Sequence, residues 1–111
     1  TIDEEKYPFY ERNKDFIQKY IFPGGMLPTK RLLAYYAKKN NLFIEEKKSF
    51  GMDYSRTLRI WRHNFNSRWA EIKKLGYDEE FKRLWEFYLC YCELGFKKGT
   101  IDVSQFRIKK V

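Results

Sequence analysis

The stretch "FKRLWEFYLCYCELGFKKGTIDVSQFRI", from Phe81 to Ile108, changes periodicity part-way along, and that change decides the fold class. Up to Phe96 the apolar residues Phe81, Leu84, Trp85, Tyr88, Leu89, Cys92 and Phe96 recur every three or four positions, the spacing of one helix face. Asp78 stands where an N-cap would, and Gly99 where the helix would stop. Beyond Gly99 the β-branched content of "TIDVSQFRIKKV" predicts a strand. Ile101 and Val103 fall on one of its faces and Phe106 and Ile108 on the other, which fits burial on both sides or a bulge. A helix feeding directly into a strand points to an α/β chain.

Working outward, "GMDYSRTLRIWRHNF" opens a second long helix. Leu58, Trp61, Phe65, Trp69 and Ile72 keep helical spacing from an Asp53 N-cap to about Leu75, before Gly76. Before it, Leu42 to Phe50 predicts a strand, and Asn40 and Asn41 end a helix that Thr29 caps and that carries Leu32, Leu33, Tyr36 and Ala37 to Lys39. "FPGGMLP", Phe22 to Pro28, is a loop, because two prolines and two adjacent glycines spoil either regular structure. "YERNKDFIQKYI" ahead of it predicts one more helix, with Phe16, Ile17 and Tyr20 on one face. The expected inventory is about four helices and an antiparallel strand pair connected by the two long helices. A two-stranded ribbon is marginal without cover, so the pair is expected to be the end of a larger α/β sheet.

Composition bounds the rest. With 111 residues, 43% hydrophobic and 20% aromatic, the chain is expected to be one small globular piece with one core. Its net charge of +8 favours an anionic contact, whether nucleic acid, phospholipid or an acidic partner. No segment approaches about 18 uninterrupted apolar residues, and the opening "TIDEEKYPFYERNKDF" is too polar for a signal peptide, so a soluble chain is expected. The absence of a methionine at Thr1 suggests a fragment or a processed piece. Cys90 and Cys92, two apart on one predicted helix, point to nearly opposite sides and are expected not to bridge. With His63 as the sole histidine, a zinc site lacks ligands.

The order "YIFPGGMLPT", "GMDYSRTLRIWRHNF", "FKRLWEFYLCYCELGFKKGTIDVSQFRI" resembles the C-terminal portion of the cyclopropane fatty-acyl-phospholipid synthases and the related mycolic acid cyclopropane synthases, from about Lys14 to Lys109. The resemblance implies a Rossmann-like, S-adenosylmethionine-dependent methyltransferase with a seven-stranded, mainly parallel sheet. Residues 1–111 would be a single C-terminal fragment supplying its last two strands. The cofactor-binding half would lie upstream, and the fragment would bind no cofactor and be inactive alone. Gly24 and Gly25 do not form the glycine-rich strand-turn-helix fingerprint of that half.

Site residues follow from the same resemblance. Methyl transfer to an alkene leaves positive charge on carbon, and ring closure needs a base, which in the family is a bound bicarbonate. The match carries a bicarbonate-holding role onto Tyr54, whose phenol can donate to an anion, with the free amides and dipole of the helix mouth adding to it. Phe22 and Leu27 in the loop, Leu58 on the first long helix, and Cys92 and Phe96 on the second match the wall of the acyl channel. Leu58, Cys92 and Phe96 serve equally as core residues, whereas Phe22 completes no stripe. The implied substrate is an unsaturated phospholipid acyl chain at an anionic membrane surface, acted on by a cytoplasmic, membrane-peripheral enzyme. Whether the product is a cyclopropane, a methyl branch or another methylated acceptor is open at this point.

Other features read as structural. His63 is expected to face solvent, and Glu45 to Lys48 to be a solvated strand edge with Lys109 and Lys110 a basic tail. The rival reading is a non-catalytic basic module for nucleic acid or an anionic lipid surface. Nucleic acid is not expected, since the aromatics form buried-type stripes and no element gathers a phosphate track.

Overall fold

Two side-chain caps act where the sequence puts them. Thr29 Oγ1 accepts from the Leu32 N–H at 3.0 Å, and Asp78 Oδ1 from the Phe81 N–H at 2.9 Å. The computed structural model describes residues Thr1–Val111. In order along the chain are α1 (Tyr7–Arg12), a π-helical turn (Ile17–Ile21), α2 (Lys30–Lys39), β1 (Leu42–Ser49), α3 (Gly51–Ser67), α4 (Trp69–Lys74), α5 (Glu79–Lys97) and β2 (Ser104–Lys110). Asn41, between α2 and β1, takes φ +57, a conformation asparagine tolerates better than most residues. The architecture is α/β, with five α-helices and one two-stranded sheet.

The expected strand pair is present and antiparallel, with Ile44 opposite Ile108 and Ser49 opposite Ser104. The bulge lies in β1, where Lys47 is the extra residue between Glu46 and Lys48. Lys109 and Lys110 are not a tail but the last rungs of β2, opposite Phe43 and Leu42. Ile101 stands outside β2 and bridges to Ile2.

Three helix expectations need correction. The predicted helix from Tyr10 to Ile21 is two pieces, because Asn13 turns extended and both its backbone N–H and its Nδ2 donate to the Phe9 carbonyl, closing α1. The π-helical turn then starts on a reciprocal cap between Asp15 and Gln18 and closes with the Phe22 N–H on the Ile17 carbonyl at 2.7 Å. Asp53 is not the N-cap of the long helix, since α3 begins at Gly51 and Asp53 lies in its first turn. That helix also breaks at Arg68 (φ −105, ψ 13), whose N–H still donates to the Asn64 carbonyl at 3.1 Å, an oxygen that the Ser67 hydroxyl shares. The break leaves Trp69 buried, with Nε1 donating to Glu79 at 3.1 Å.

The main packing is α3 on α5. Leu58, Leu89 and Cys92 form its buried centre, at 3%, 4% and 7% exposure, flanked by Ile17, Tyr54, Phe65, Trp85, Tyr88 and Phe96. On the other side of the seam Arg62 pairs with Glu93 at 3.1 Å, and the Ser55 hydroxyl donates to the Glu93 carbonyl. Only 10 of 111 residues are buried, and the radius of gyration is 16.7 Å, against about 13 Å for a compact chain of this size. The globular piece with a filled core expected from composition is therefore replaced by an elongated one. A two-stranded ribbon offers too little area to cover five helices, and Phe9, Tyr20, Tyr35, Tyr36, Phe43 and Phe87 stay exposed. No helix is long and apolar enough to cross a membrane.

Candidate functional site

The apolar stripes of α3 and α5 do not close on each other along their whole length. They splay around a groove of about 930 Å³, within the roughly 300–1,000 Å³ usual for ligand sites, and 17 of its 23 lining residues are hydrophobic. On the α3 side Tyr54, Leu58, Trp61 and Phe65 follow one another at helical spacing. On the α5 side stand Trp85, Tyr88, Leu89, Cys92 and Phe96. Phe22, Gly25, Met26 and Leu27 of the proline-glycine loop form a lip, and Ile101, Val103 and Phe106 complete the wall near β2.

All six residues singled out from the sequence, Phe22, Leu27, Tyr54, Leu58, Cys92 and Phe96, line this one groove. The loop reaches it because it is tied at two points. Gln18 Nε2 donates to the Gly25 carbonyl at 2.8 Å, and the Leu27 N–H donates to the Tyr10 hydroxyl at 2.7 Å. Phe22, 56% exposed, stands edge-on to Tyr88 with ring centroids 6.1 Å apart. Tyr54 is wedged edge-on against Phe96 at 5.0 Å and Trp61 at 5.8 Å. On the same stretch of α3 the hydroxyls of Ser55 and Thr57 donate to the carbonyls of Glu93 and Asp53, whereas the Tyr54 hydroxyl has no partner in the chain.

One expectation about the helix mouth changes. The Tyr54 N–H is spent on the Phe50 carbonyl at 3.0 Å, and the Gly51 N–H, first in α3, donates to Asp102 Oδ1 at 2.9 Å. These two amides are not open to a ligand, so the phenol is what Tyr54 offers. Burial pushes the Cys92 thiol up to about 11, so it stays protonated at neutral pH and acts as an apolar wall, not a nucleophile. Burial likewise raises the Tyr88 phenol, with Cys92 and Tyr54 as near neighbours adding to it.

The sequence also misled at one place and was silent at others. Glu46 is not simply a solvated edge residue, since it accepts from Lys30 at 2.9 Å and from the Ser104 hydroxyl at 3.1 Å. Trp61, Phe65, Trp85 and Tyr88 belonged to the predicted stripes, but periodicity signals an apolar face without telling core from groove. Asp102, which also lines the groove, carried no local signal at all. His63 is exposed, as expected, and Cys90 and Cys92 are both free thiols.

The family model described as mycolic acid cyclopropane synthetase matches residues 1–106. The chain belongs to that family. Among the family's characterised relatives, a tuberculostearic acid methyltransferase of Mycobacterium tuberculosis is 44% identical over 109 residues, which is 97% of this chain and 26% of the relative. A cyclopropane-fatty-acyl-phospholipid synthase of Escherichia coli is 38% identical over 90 residues, 81% of this chain and 23% of the relative. An S-adenosylmethionine-dependent methyltransferase of Mycobacterium tuberculosis is 33% identical over 95 residues, 86% of this chain and 33% of the relative. This cyclopropane synthetase family chain thus spans between about a quarter and a third of the length of the relatives it matches.

Proposed function

We propose that this chain forms the acyl-channel part of a cyclopropane fatty-acyl-phospholipid synthase-like enzyme, one that transfers a methylene or methyl group from S-adenosylmethionine to the double bond of an unsaturated phospholipid acyl chain. The observation that carries the reading is the convergence of Phe22, Leu27, Tyr54, Leu58, Cys92 and Phe96, drawn from three separate segments, on one apolar groove. An acyl chain has no polar group along its length, so a wall of aromatic and aliphatic side chains holds it by burial alone, and the loop lip shields the reacting carbon from water.

In this reading residues 1–111 are the C-terminal piece of a seven-stranded methyltransferase domain whose other half comes from upstream polypeptide. The low burial, the elongated shape and the uncovered aromatics support it, since each is what a surface made for a covering layer would leave. In this reading the proline-glycine loop is not a cradle for S-adenosylmethionine. Gly24 lies in an open turn at φ +81, and the missing Cβ of Gly25 faces the Phe22 carbonyl at 3.0 Å, so the pair folds onto itself rather than around a ligand. We assign that cofactor, the source of the methyl group, to the upstream half.

Bicarbonate, when bound, supplies the base of the reaction, and Tyr54 is the residue here that would hold it. The Tyr54 phenol stands in an apolar wall and can donate to an anion there, and desolvation on binding would make such a bond stronger than it is in water. The net charge of +8 suits approach to an anionic membrane surface from the cytoplasm, where the acyl substrate resides.

The test is Tyr54→Phe in the complete methyltransferase. The change keeps the ring packed on Phe96 and removes one donor. It is expected to lower kcat about tenfold or more, because about 1.4 kcal/mol of lost transition-state stabilisation is already a factor of ten, with thermal stability nearly unchanged. Added bicarbonate restores part of the rate. Normal turnover of the variant at limiting bicarbonate would overturn the assignment.

A further inference from the structure

The corner between β1 and α3 is stitched to a segment half the chain away. Phe50, at the mouth of α3, has no side-chain cap to offer. Its N–H donates instead to the Val103 carbonyl at 2.9 Å, and the next amide, Gly51 N–H, donates to Asp102 Oδ1 at 2.9 Å, 51 positions on in sequence. The same Oδ1 accepts from the Val103 N–H at 2.9 Å, which holds the carboxylate in place against its own backbone. Oδ2 accepts from Lys30 Nζ on α2 at 3.1 Å and from the Ser49 hydroxyl at the end of β1. Lys30 is held from its other side by Glu46 at 2.9 Å. One carboxylate therefore ties α2, β1, α3 and the start of β2 together.

We propose that Asp102 is a positioning residue, which sets the Tyr54 phenol in the groove by fixing where α3 begins; the proposal rests on the anion-holding reading of Tyr54 given above. Tyr54 is one turn inside α3, and its N–H closes that turn on the Phe50 carbonyl at 3.0 Å. Displacing Phe50 and Gly51 therefore displaces the tyrosine with them. A helix whose first turn lacks an anchor frays there first, and the residue carried on that turn loses its fixed direction. Gly51 is part of the device, because a Cβ at that position would collide with Asp102 Oδ1 and push the carboxylate off the amide. The Tyr54 ring packs on the Leu58–Leu89–Cys92 cluster and meets Phe96 and Trp61 edge-on, apolar contacts that set no direction for its hydroxyl, so the backbone has to supply the precision. Asp102 does not need to touch substrate for this. Its role is to hold the turn that holds the donor.

The test uses the full 111-residue chain with 3-fluorotyrosine placed at position 54 and, as a remote control, at Tyr77 between α4 and α5, read by fluorine NMR. Asp102→Ala is expected to shift or broaden the Tyr54 resonance while leaving the Tyr77 resonance in place. Asp102→Asn, which keeps an acceptor oxygen for the two amides, is expected to return the Tyr54 resonance to its wild-type position. Gly51→Ala, which leaves the carboxylate charge intact, is expected to reproduce the effect of Asp102→Ala. It carries the test, together with the Asn variant, if Asp102→Ala fails to fold. An unmoved Tyr54 resonance in both Asp102→Ala and Gly51→Ala, or equal movement at Tyr54 and Tyr77, overturns the proposal.

A double-mutant cycle in the complete methyltransferase separates the two readings. If Asp102 acts through Tyr54, Asp102→Ala raises the bicarbonate requirement by about tenfold and costs little more once Tyr54 is already Phe. Multiplying effects sink the positioning role and leave the tyrosine reading standing. A Tyr54→Phe variant without any effect sinks the anion-holding role, with the fluorine result still deciding whether Asp102 positions the ring.

Discussion

Leu58→Ala tests the joint on which the groove depends. Leu58 is 3% exposed and packs with Leu89 and Cys92 at the centre of the α3–α5 interface, while its side chain also forms part of the groove wall. Truncation to alanine removes three carbons, and at about 0.8 kcal/mol per buried methylene the transfer cost is about 2.4 kcal/mol. In a sealed core a cavity cost would be added, bringing the total toward the upper part of the ~2–5 kcal/mol range for such changes. Here the vacated space merges with the groove, so that addition is small and the expected loss is about 2.5 kcal/mol. Only 10 residues of the chain are buried, so this is a large share of its stability, and a fall in melting temperature of roughly 10–20 °C follows for a domain of this size. The measurement is urea unfolding followed by the fluorescence of Trp61, Trp69 and Trp85, comparing midpoints at constant slope. A midpoint displaced by less than about 0.5 kcal/mol-equivalent would refute the reasoning, since a side chain this enclosed cannot be lost so cheaply unless α3 and α5 pack otherwise.

Other expectations are quicker to check. A maleimide at neutral pH should label half-buried Cys90 well before Cys92, whose thiol is buried and held at about 11; equal rates by mass spectrometry would contradict the wall role of Cys92. Asp102 is partly buried, which opposes its charge, but the bonds from Ser49, Lys30 and Gly51 outweigh this and hold its carboxyl below the ordinary 3.8, while the Lys30 bond chiefly holds Glu46 below 4.5. Depressed carboxyls contribute stability fully above their unfolded values and lose it as pH falls through the folded ones, so unfolding midpoints should hold above about pH 5 and drop below about pH 4. That drop should be shallower in Asp102→Asn, and an identical acid profile would refute the coupling. Calorimetric titration of the 111-residue chain with S-adenosylmethionine should give no saturable binding at micromolar concentrations, and a clear isotherm would mean that this chain carries a cofactor site of its own.

The sequence by itself determined what depends on neighbours a few residues away. The stripes on α3 and α5, the caps at Thr29 and Asp78, the helix stop at Asn40 and Asn41 and the β-branched run before Lys110 are local. Backbone geometry and side-chain period were enough to place them, and the strand pairing followed from the order of elements. The six groove residues were legible through motif resemblance, not through periodicity, which cannot say whether an apolar face meets another helix or opens onto a groove. Other features were fixed by competition between local options. Asn13 ended α1 with two bonds to one carbonyl, and Arg68 left helical geometry between α3 and α4, choices that propensity leaves nearly balanced. Only the tertiary structure decided that α3 starts at Gly51 rather than after Asp53. The anchor for that turn is the Asp102 carboxylate, 51 residues away, and no local pattern records a helix cap that arrives from another part of the chain.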